Sequence, residues 1–336
     1  MGAADSDPKA GTDAARAAVV IPAWNASATI GRAVTSALAQ SVPCDVIVVD
    51  DASPDDTVAA ARAVDEGSGR LTVVSAPKNA GPAAARNLGV TLTEADWIVL
   101  LDADDFMDPG RVAGLIALAE PDGAPEWDLV ADDLYRVVEG DVDGPRQRLI
   151  SEADFTPYAL DLENFVLGNL HGEHGSRGEL GFLKPMMRRR FLIDHDIRYD
   201  EAVRLGEDYD IYARMLAAGG RMLVSNPLGY FAVARSDSIS ATHGTAEVGG
   251  LVAVDVALLK RPTLTAGERR AIKRHLGITR REWAWLRLID AVKARAPAAA
   301  LGCFAGPPDV ALSLFARLGE QAALRARRRL GGAPKP

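Results

Sequence analysis

The sequence predicts an α/β protein: a mostly parallel open sheet flanked by helices, followed by a helical C-terminal extension. Three observations carry this. Short β-rich runs alternate with Ala-rich helical patterns through the first half. Those runs are nearly all apolar rather than alternating, as in strands buried on both faces of a parallel sheet. The charge also divides, with −20 on residues 1–255 and +12 on residues 256–336, an acidic body carrying a basic tail.

The strand-like runs fall at 18–21, 46–49, 71–74 and 97–101. Between them, 27–40, 53–65 and 81–92 are long enough for crossover helices, giving βαβαβαβ. The second helix begins with favourable chemistry: Ser53 to cap, Pro54 in the first turn, Asp55 and Asp56 at the positive end. Beyond Pro109 the pattern predicts a helix over 111–120, a strand over 129–138 and a charged turn over 139–147. Residues 168–181 (GNLHGEHGSRGELG) lack periodicity and read as a long loop, and 236–250 as weakly ordered. Pro307 and Pro308 break the basic tail, whose RARRRL end reads as a solvated helix face. The expected division is a disordered leader over 1–16, a catalytic domain over 17–245 and a basic helical extension over 246–336.

The chain has 336 residues, 48% hydrophobic and 25% charged, with a mean hydropathy of zero. No run approaches the ~18 apolar residues of a membrane span. The apolar stretch after the polar leader is too short for a signal peptide. Cys44 and Cys303 are too few for a disulfide framework, so a cytoplasmic location is expected. Gly2 and Ser6 match a short myristoylation pattern. The acidic body argues against nucleic acid as a partner.

Ligands of open parallel sheets bind beyond the carboxyl ends of the strands. The first strand ends in PAWNAS, which has no glycine, so a dinucleotide-binding turn is excluded. The second ends in Asp50 and Asp51, and the fourth in Asp102, Ala103, Asp104 and Asp105. Three carboxylates behind WIVLL need a counter-charge, which a hard cation such as Mg²⁺ or Mn²⁺ shared with substrate phosphate supplies. A solvated acidic turn leading to the next helix is the alternative, and the local sequence leaves both open.

Five segments together carry a family resemblance: VVIPAWNASATIGRAVTSALAQS, VIVVDDASPDDT, APKNAGPAAARNLGV, WIVLLDADDFMDP and MMRRRFLIDHDIRYDEAVRLGEDYDIYARMLAAG. In this order and spacing they resemble glycosyltransferase family 2 over about residues 17–240, most closely its bacterial exopolysaccharide enzymes. The resemblance implies a GT-A fold, a nucleotide-diphosphate sugar donor, a divalent metal and inversion at the anomeric carbon. It places Pro22, Ala23 and Trp24 at the nucleobase and ribose pocket. Asp51, with Asp50 beside it, is implied to accept from the base; a carboxylate reads a donor N–H such as that of uracil. Either acid also reads as a cap for the following helix. Arg86 is implied near the donor, against an ordinary ion pair on a helix surface, and Asn79 and Gly81 shape its loop. Asp102 and Asp104 match the D-x-D pair, with Ala103 between them at the donor and Asp105 adjacent; Asp102, Asp104 and Asp105 are the candidate metal acids.

Asp208 aligns with the catalytic base of the family's Glu-Asp pair. Inversion by direct displacement needs one carboxylate to take the acceptor hydroxyl's proton. Asp210 would face another side of the helix, and Glu207 and Asp208 also read as acids complementing a helix N-terminus. Lys184 departs from the small residue associated with its position and reads as a phosphate contact or a surface lysine. His171 and His174 read as an acceptor contact or a solvated pair, and His243 as an approach to the diphosphate. Asn25, Ala26 and Ser27 form a sequon without consequence in a cytoplasmic protein.

The expected activity is therefore metal-dependent transfer of a hexose, with inversion, from a UDP-sugar to a hydroxyl of a glycan or polyprenyl-diphosphate-linked acceptor. A nucleotidyltransferase is the alternative, but PAWNAS lacks its Gly-rich basic loop. A silent sugar-nucleotide binding module is another, but it would have lost the acids that are present. In the tail, Trp283, Trp285, Leu286, Leu288 and Ile289 lie among Arg280, Arg281, Arg287, Lys293 and Arg295. Residues 256–336 are thus expected either to meet an anionic membrane at the inner face of the cell membrane or to pack on the catalytic domain.

Overall fold

The chain is described by a computed structural model over residues 17–65, 67–170, 180–234 and 244–330, with side chains to residue 326. Four parallel strands come first: β1 (Ala17–Ala23), β2 (Cys44–Asp50), β3 (Leu71–Ser75) and β4 (Trp97–Leu100). They are joined by helices α1 (Ile30–Leu38), α2 (Thr57–Arg62) and α3 (Pro82–Thr91). Every residue of β1 is buried, because it lies between β2 and β4 with helices on its faces. Gly89 of α3 sits directly against Val20, where a Cβ would collide with the valine.

The second half adds β5 (Phe106–Met107), α4 (Arg111–Ala119), β6 (Leu129–Asp132), β7 (Tyr135–Val138), β8 (Gln147–Arg148), β9 (Tyr158–Leu160) and α5 (Leu162–Leu167). Next come β10 (Met186–Arg188), α6 (Arg189–Asp194), α7 (Glu207–Ala217), β11 (Met222–Ser225) and β12 (Tyr230–Ala234). The main sheet has the order β3-β2-β1-β4-β10-β6-β11-β9, and a smaller one the order β5-β12-β7-β8. In the main sheet β10 and β9 run antiparallel to their neighbours. The antiparallel sense of β10 sets where Lys184 lies. Its amino end, preceded by Lys184, lies at the carboxyl end of β4, where Asp102 follows.

The strand expected over 129–138 is two strands in different sheets. Buried Asp133 sits at the break and accepts from the amides of Leu134, Leu149 and Ile150, turning the chain from one sheet to the other. Ser53 does not cap the second helix, which begins only at Thr57; its hydroxyl accepts instead from Asn25 N.

The C-terminal helices are α8 (Thr245–Leu259), α9 (Ala266–Lys293), α10 (Pro297–Gly302) and α11 (Pro308–Leu330). Helix α8 begins within the stretch 236–250 expected to be weakly ordered and runs on beyond it. A capping box of Thr265 and Glu268 starts α9. Its first half buries Ala271 and Ile272 in the main core, where α8 places Val254 and Leu258. Its second half joins the rest of the tail in a separate cluster of Ala284, Leu288, Cys303, Val310 and Leu314. Pro308 opens α11, as a proline at a helix start does. Among the described residues no helix is long and apolar enough to cross a membrane.

Candidate active site

The loops at the carboxyl ends of β1 and β2 are tied together by side chains accepting backbone amides. Ala26 N donates to Thr57 Oγ1 at 2.8 Å and Ser27 N to Asp55 Oδ2 at 3.0 Å. Pro22 and Ala23 are buried in β1, while Trp24 stands 47% exposed on the loop. Asp51 is buried and accepts from Ala80 N at 2.8 Å and Gly81 N at 2.7 Å, anchoring the loop before α3. Asp50 accepts from Ser53 N at 3.3 Å. Neither acid caps α2. Gly81 is required by its φ of +94°, a conformation that side chains rarely adopt.

Asp102 follows β4 at the centre of a charged network. Arg86, on α3, donates to Asp102 Oδ1 and Glu207 Oε1, each at 2.9 Å, and lies 3.5 Å from Asp208 Oδ1. Arg86 is thus a buried hub, 3% exposed, and not the surface ion pair that stood as the alternative to a donor contact. Lys184 Nζ donates to Asp208 Oδ2 at 2.6 Å and lies 3.0 Å from Asp102 Oδ2. Tyr199 Oη donates to Asp208 Oδ1 at 3.1 Å. Two aspartates 106 positions apart in sequence therefore share one lysine. Asp210, on another face of α7, is paired with Arg214 instead.

Electrostatics follow from this geometry. Burial pushes the Asp102 carboxyl upward, but Lys184 and Arg86 outweigh it and hold it below the usual carboxylate range. Burial disfavours the Lys184 ammonium, yet Asp102 and Asp208 raise it above the ordinary lysine range. Arg86 is likewise penalised by burial and held charged by Asp208 and Asp102.

The adjoining acids are not equivalent. Asp104 is half-buried at the turn, where its backbone carbonyl accepts from Arg32 at 2.6 Å; Ala103 is half-buried beside it. Asp105, the third acid expected at a metal, is buried and already engaged by the protein. Its oxygens accept from Tyr230 Oη at 2.7 Å and Val233 N at 2.8 Å. Burial, with the charges of Asp102 and Asp104, pushes its carboxyl up to about 8. It is a protonatable strut of the turn. Among the described residues no three of His, Cys, Asp and Glu converge to form a metal cage. His171, His174 and His243 lie outside the described residues, as do Gly2 and Ser6.

Lys184, expected as a phosphate contact or a surface lysine, is buried between Asp102 and Asp208, and its support was not legible in the sequence. Buried Arg111 pairs with Asp132, donating from Nη2 at 2.7 Å, and from the same nitrogen to the Lys184 carbonyl at 2.7 Å. Its guanidinium lies 4.9 Å from the Tyr230 ring centroid. The only local signal for Lys184 is a charged residue followed by Pro185 at the start of an apolar strand.

The profile of the family described as "Glycosyl transferase family 2" matches residues 18–176. The succinoglycan biosynthesis protein ExoU of Rhizobium meliloti (strain 1021) is 44% identical over 257 residues, 76% of this chain and 73% of that protein. The chain belongs to glycosyl transferase family 2. A second relative, the succinoglycan biosynthesis protein ExoO of the same organism, is 36% identical over 84% of this chain and 79% of its own length. As a member of family 2 the chain is a glycosyltransferase, and the nucleotidyltransferase and silent-module alternatives give way.

The GT-A fold of family 2 is evident in solved structures as well. S. aureus TarS 1–349 in complex with UDP superposes with a TM-score of 0.61 at 16% identity, covering 95% of this chain and 93% of that one. The mannosyltransferase PcManGT from Pyrobaculum calidifontis, in complex with GDP-Man and Mn2+, gives 0.57 at 17% identity over 95% and 82%.

Proposed function

We propose that this glycosyltransferase moves a hexose from a UDP-sugar, with inversion and a divalent cation, to a hydroxyl of a growing glycan or lipid-linked oligosaccharide in exopolysaccharide assembly. The observation that carries the reading is the shared lysine: Asp102, the donor-side acid, and Asp208, the acceptor-side acid, both lie within 3.0 Å of Lys184 Nζ. The relatives in succinoglycan biosynthesis support the setting, and the UDP-bound neighbour supports the donor class.

In this mechanism Asp208 takes the proton of the acceptor hydroxyl as its oxygen attacks the anomeric carbon, while UDP leaves from the opposite side. Lys184, Tyr199 and Arg86 hold the carboxylate in place, so the group is oriented before the acceptor arrives. Trp24 supplies an exposed ring for stacking on the base. Asp51 fixes the loop before α3 by accepting two of its amides, and its remaining lone pairs would accept a base N–H.

The acids fit a hard cation shared with substrate rather than one caged by protein alone. Asp104 and Asp102 would hold it together with the donor. The cation would supply Lewis-acid stabilisation of the leaving diphosphate.

The test is transfer and UDP-sugar hydrolysis with Mn²⁺, comparing the parent with Asp208→Asn, beside UDP calorimetry with and without EDTA. Asp208→Asn should bind UDP normally and lose transfer; full transfer by this variant removes the assignment. UDP affinity indifferent to EDTA removes the cation. A panel of UDP- and GDP-sugars scored by metal-dependent thermal stabilisation identifies the donor.

The tail supports a second contact, with an anionic membrane surface. The tryptophans expected to face it are packed instead: Trp283 lies under Arg287 and Trp285 near Arg317, and Leu288 is buried. The exposed apolar side chains are Leu301, Leu312, Phe315, Leu318 and Leu324, on a tail of net charge +12. Co-sedimentation of the full chain with anionic liposomes should occur at low salt and weaken when Leu312, Phe315 and Leu318 become Ser. A full chain that stays in the supernatant disposes of the membrane contact.

A further inference from the structure

Helix α7 carries the expected base, and its first turn is gripped from behind by the C-terminal helices. Tyr209, the residue after Asp208, donates from Oη to Asp255 Oδ1 of α8 at 2.9 Å. Asp255 Oδ2 lies 2.7 Å from His275 Nδ1 of α9. The Tyr209 ring stacks on the His275 ring at 4.7 Å and on Phe165 at 5.7 Å. All three polar residues are buried, and Asp255 is fully so. One turn before Asp255, Leu251 closes against Gly206: a Cβ there would meet Leu251 Cδ1 at 3.0 Å, and Gly206 has a φ of +73°. Helix α8 thus touches the residue before the Glu207-Asp208 pair and the residue after it.

We propose that Asp255 and His275 are positioning residues of the transfer reaction, setting through Tyr209 the rotation of the helix that carries Asp208. The physical case is one of direction. Apolar side chains of similar volume would fill this interface without burying a carboxylate, so the polar triad is not explained by packing stability. Hydrogen bonds, unlike apolar contacts, fix an angle. Consecutive helix residues point about 100° apart, so Tyr209 can be held by α8 and α9 while Asp208 faces Lys184 and Tyr199. A small rotation of α7 would break the 2.6 Å contact with Lys184, and misplacement on the order of 1 Å costs roughly 100-fold in rate.

The inference rests on the proposed role of Asp208 and is tested on the full chain with Tyr209→Phe, His275→Phe and His275→Gln. Tyr209→Phe keeps the ring and removes only the hydroxyl link. It should lower kcat roughly tenfold, with the donor KM and the UDP Kd within about twofold of the parent. His275→Phe should behave alike, and His275→Gln, which keeps an N–H donor, should recover most of the loss. Amide hydrogen exchange gives a readout independent of turnover: residues 207–210 should exchange faster in Tyr209→Phe while β1 to β4 stay as in the parent. Parental kcat and parental exchange at 207–210 overturn the inference. So does a loss of UDP affinity and thermal stability in step with kcat, the mark of a merely structural contact. A parent that transfers no sugar overturns the proposed function, while the exchange data still decide the coupling of α8 and α9 to α7.

Discussion

The expected donor and acceptor sides of the site are built by different chemistry. On the donor side the loops after β1, β2 and β3 are held by side chains accepting backbone amides: Ser53, Thr57, Asp55 and Asp51. On the expected acceptor side, and where it meets donor-side Asp102, the groups are held by charge: Asp102, Glu207 and Asp208 share ion pairs with buried Arg86 and Lys184. Amide-accepting side chains fix a backbone path and leave its outer surface open to a ligand. Buried ion pairs fix side chains, and each tolerates the loss of its partner badly. The donor side is therefore a shaped loop, and the acceptor side a balanced charge.

The largest expected effect breaks that balance at its reactive member. Asp208→Asn should lower kcat by about 10²–10⁴-fold, the range for a lost general base, with UDP affinity little changed by calorimetry. Lys184→Met comes next. It leaves Arg86 as the remaining cation against both carboxylates and should cost up to about 3 kcal/mol in chemical denaturation, the low end for breaking a buried pair. Adding Asp208→Asn to it should recover part of that loss; full additivity would show that the two do not interact.

Asp51→Ala tests the donor side. It frees two buried amides, for a cost of about 1–3 kcal/mol, and should weaken UDP binding while sparing kcat at saturating donor. If instead kcat falls and UDP binding holds, the contrast between the two sides is wrong.

The smallest effect concerns Asp105. Its carboxyl is pushed up to about 8 by burial and by Asp102 and Asp104, against an ordinary value of 3.8. Between those values the native state binds the proton that the unfolded state has released, so this group's contribution to stability falls as pH rises. Melting temperatures of Asp105→Asn and the parent should diverge in favour of the variant from about pH 4 to pH 8 and then run parallel. A constant gap across that range would place the carboxyl in its ordinary state.

Much of the donor side was legible because its groups are contiguous. WIVLLDADD and VIVVDDAS show a buried strand followed by acids, and strand polarity then puts those acids at one edge of the sheet. Individual uses were less legible. Ser53 reads as a helix cap from its neighbours, yet serves Asn25 across the loop. Asp105 looks like Asp102 and Asp104 in the sequence, but the register of β12 gives it Tyr230 and Val233 as partners. The run over 129–138 is apolar at both ends, and the Asp132-Asp133 pair at its middle does not say by itself that Asp133 turns the chain between sheets.

The sequence alone determined the α/β class, the four parallel strands, the aspartates at their ends and the helix that carries Asp208, since each depends on residues within about one element of one another. The tertiary structure alone decided which charges meet. Lys184 reaches Asp102 because β10 runs antiparallel to β4, and Asp255 and His275 stand behind Tyr209 because α8 and α9 fold back onto α7. The physical reason is range: strand and helix patterns are written in local periodicity, whereas ion pairs between distant residues are fixed only when the sheet order and helix packing bring them within a few ångströms.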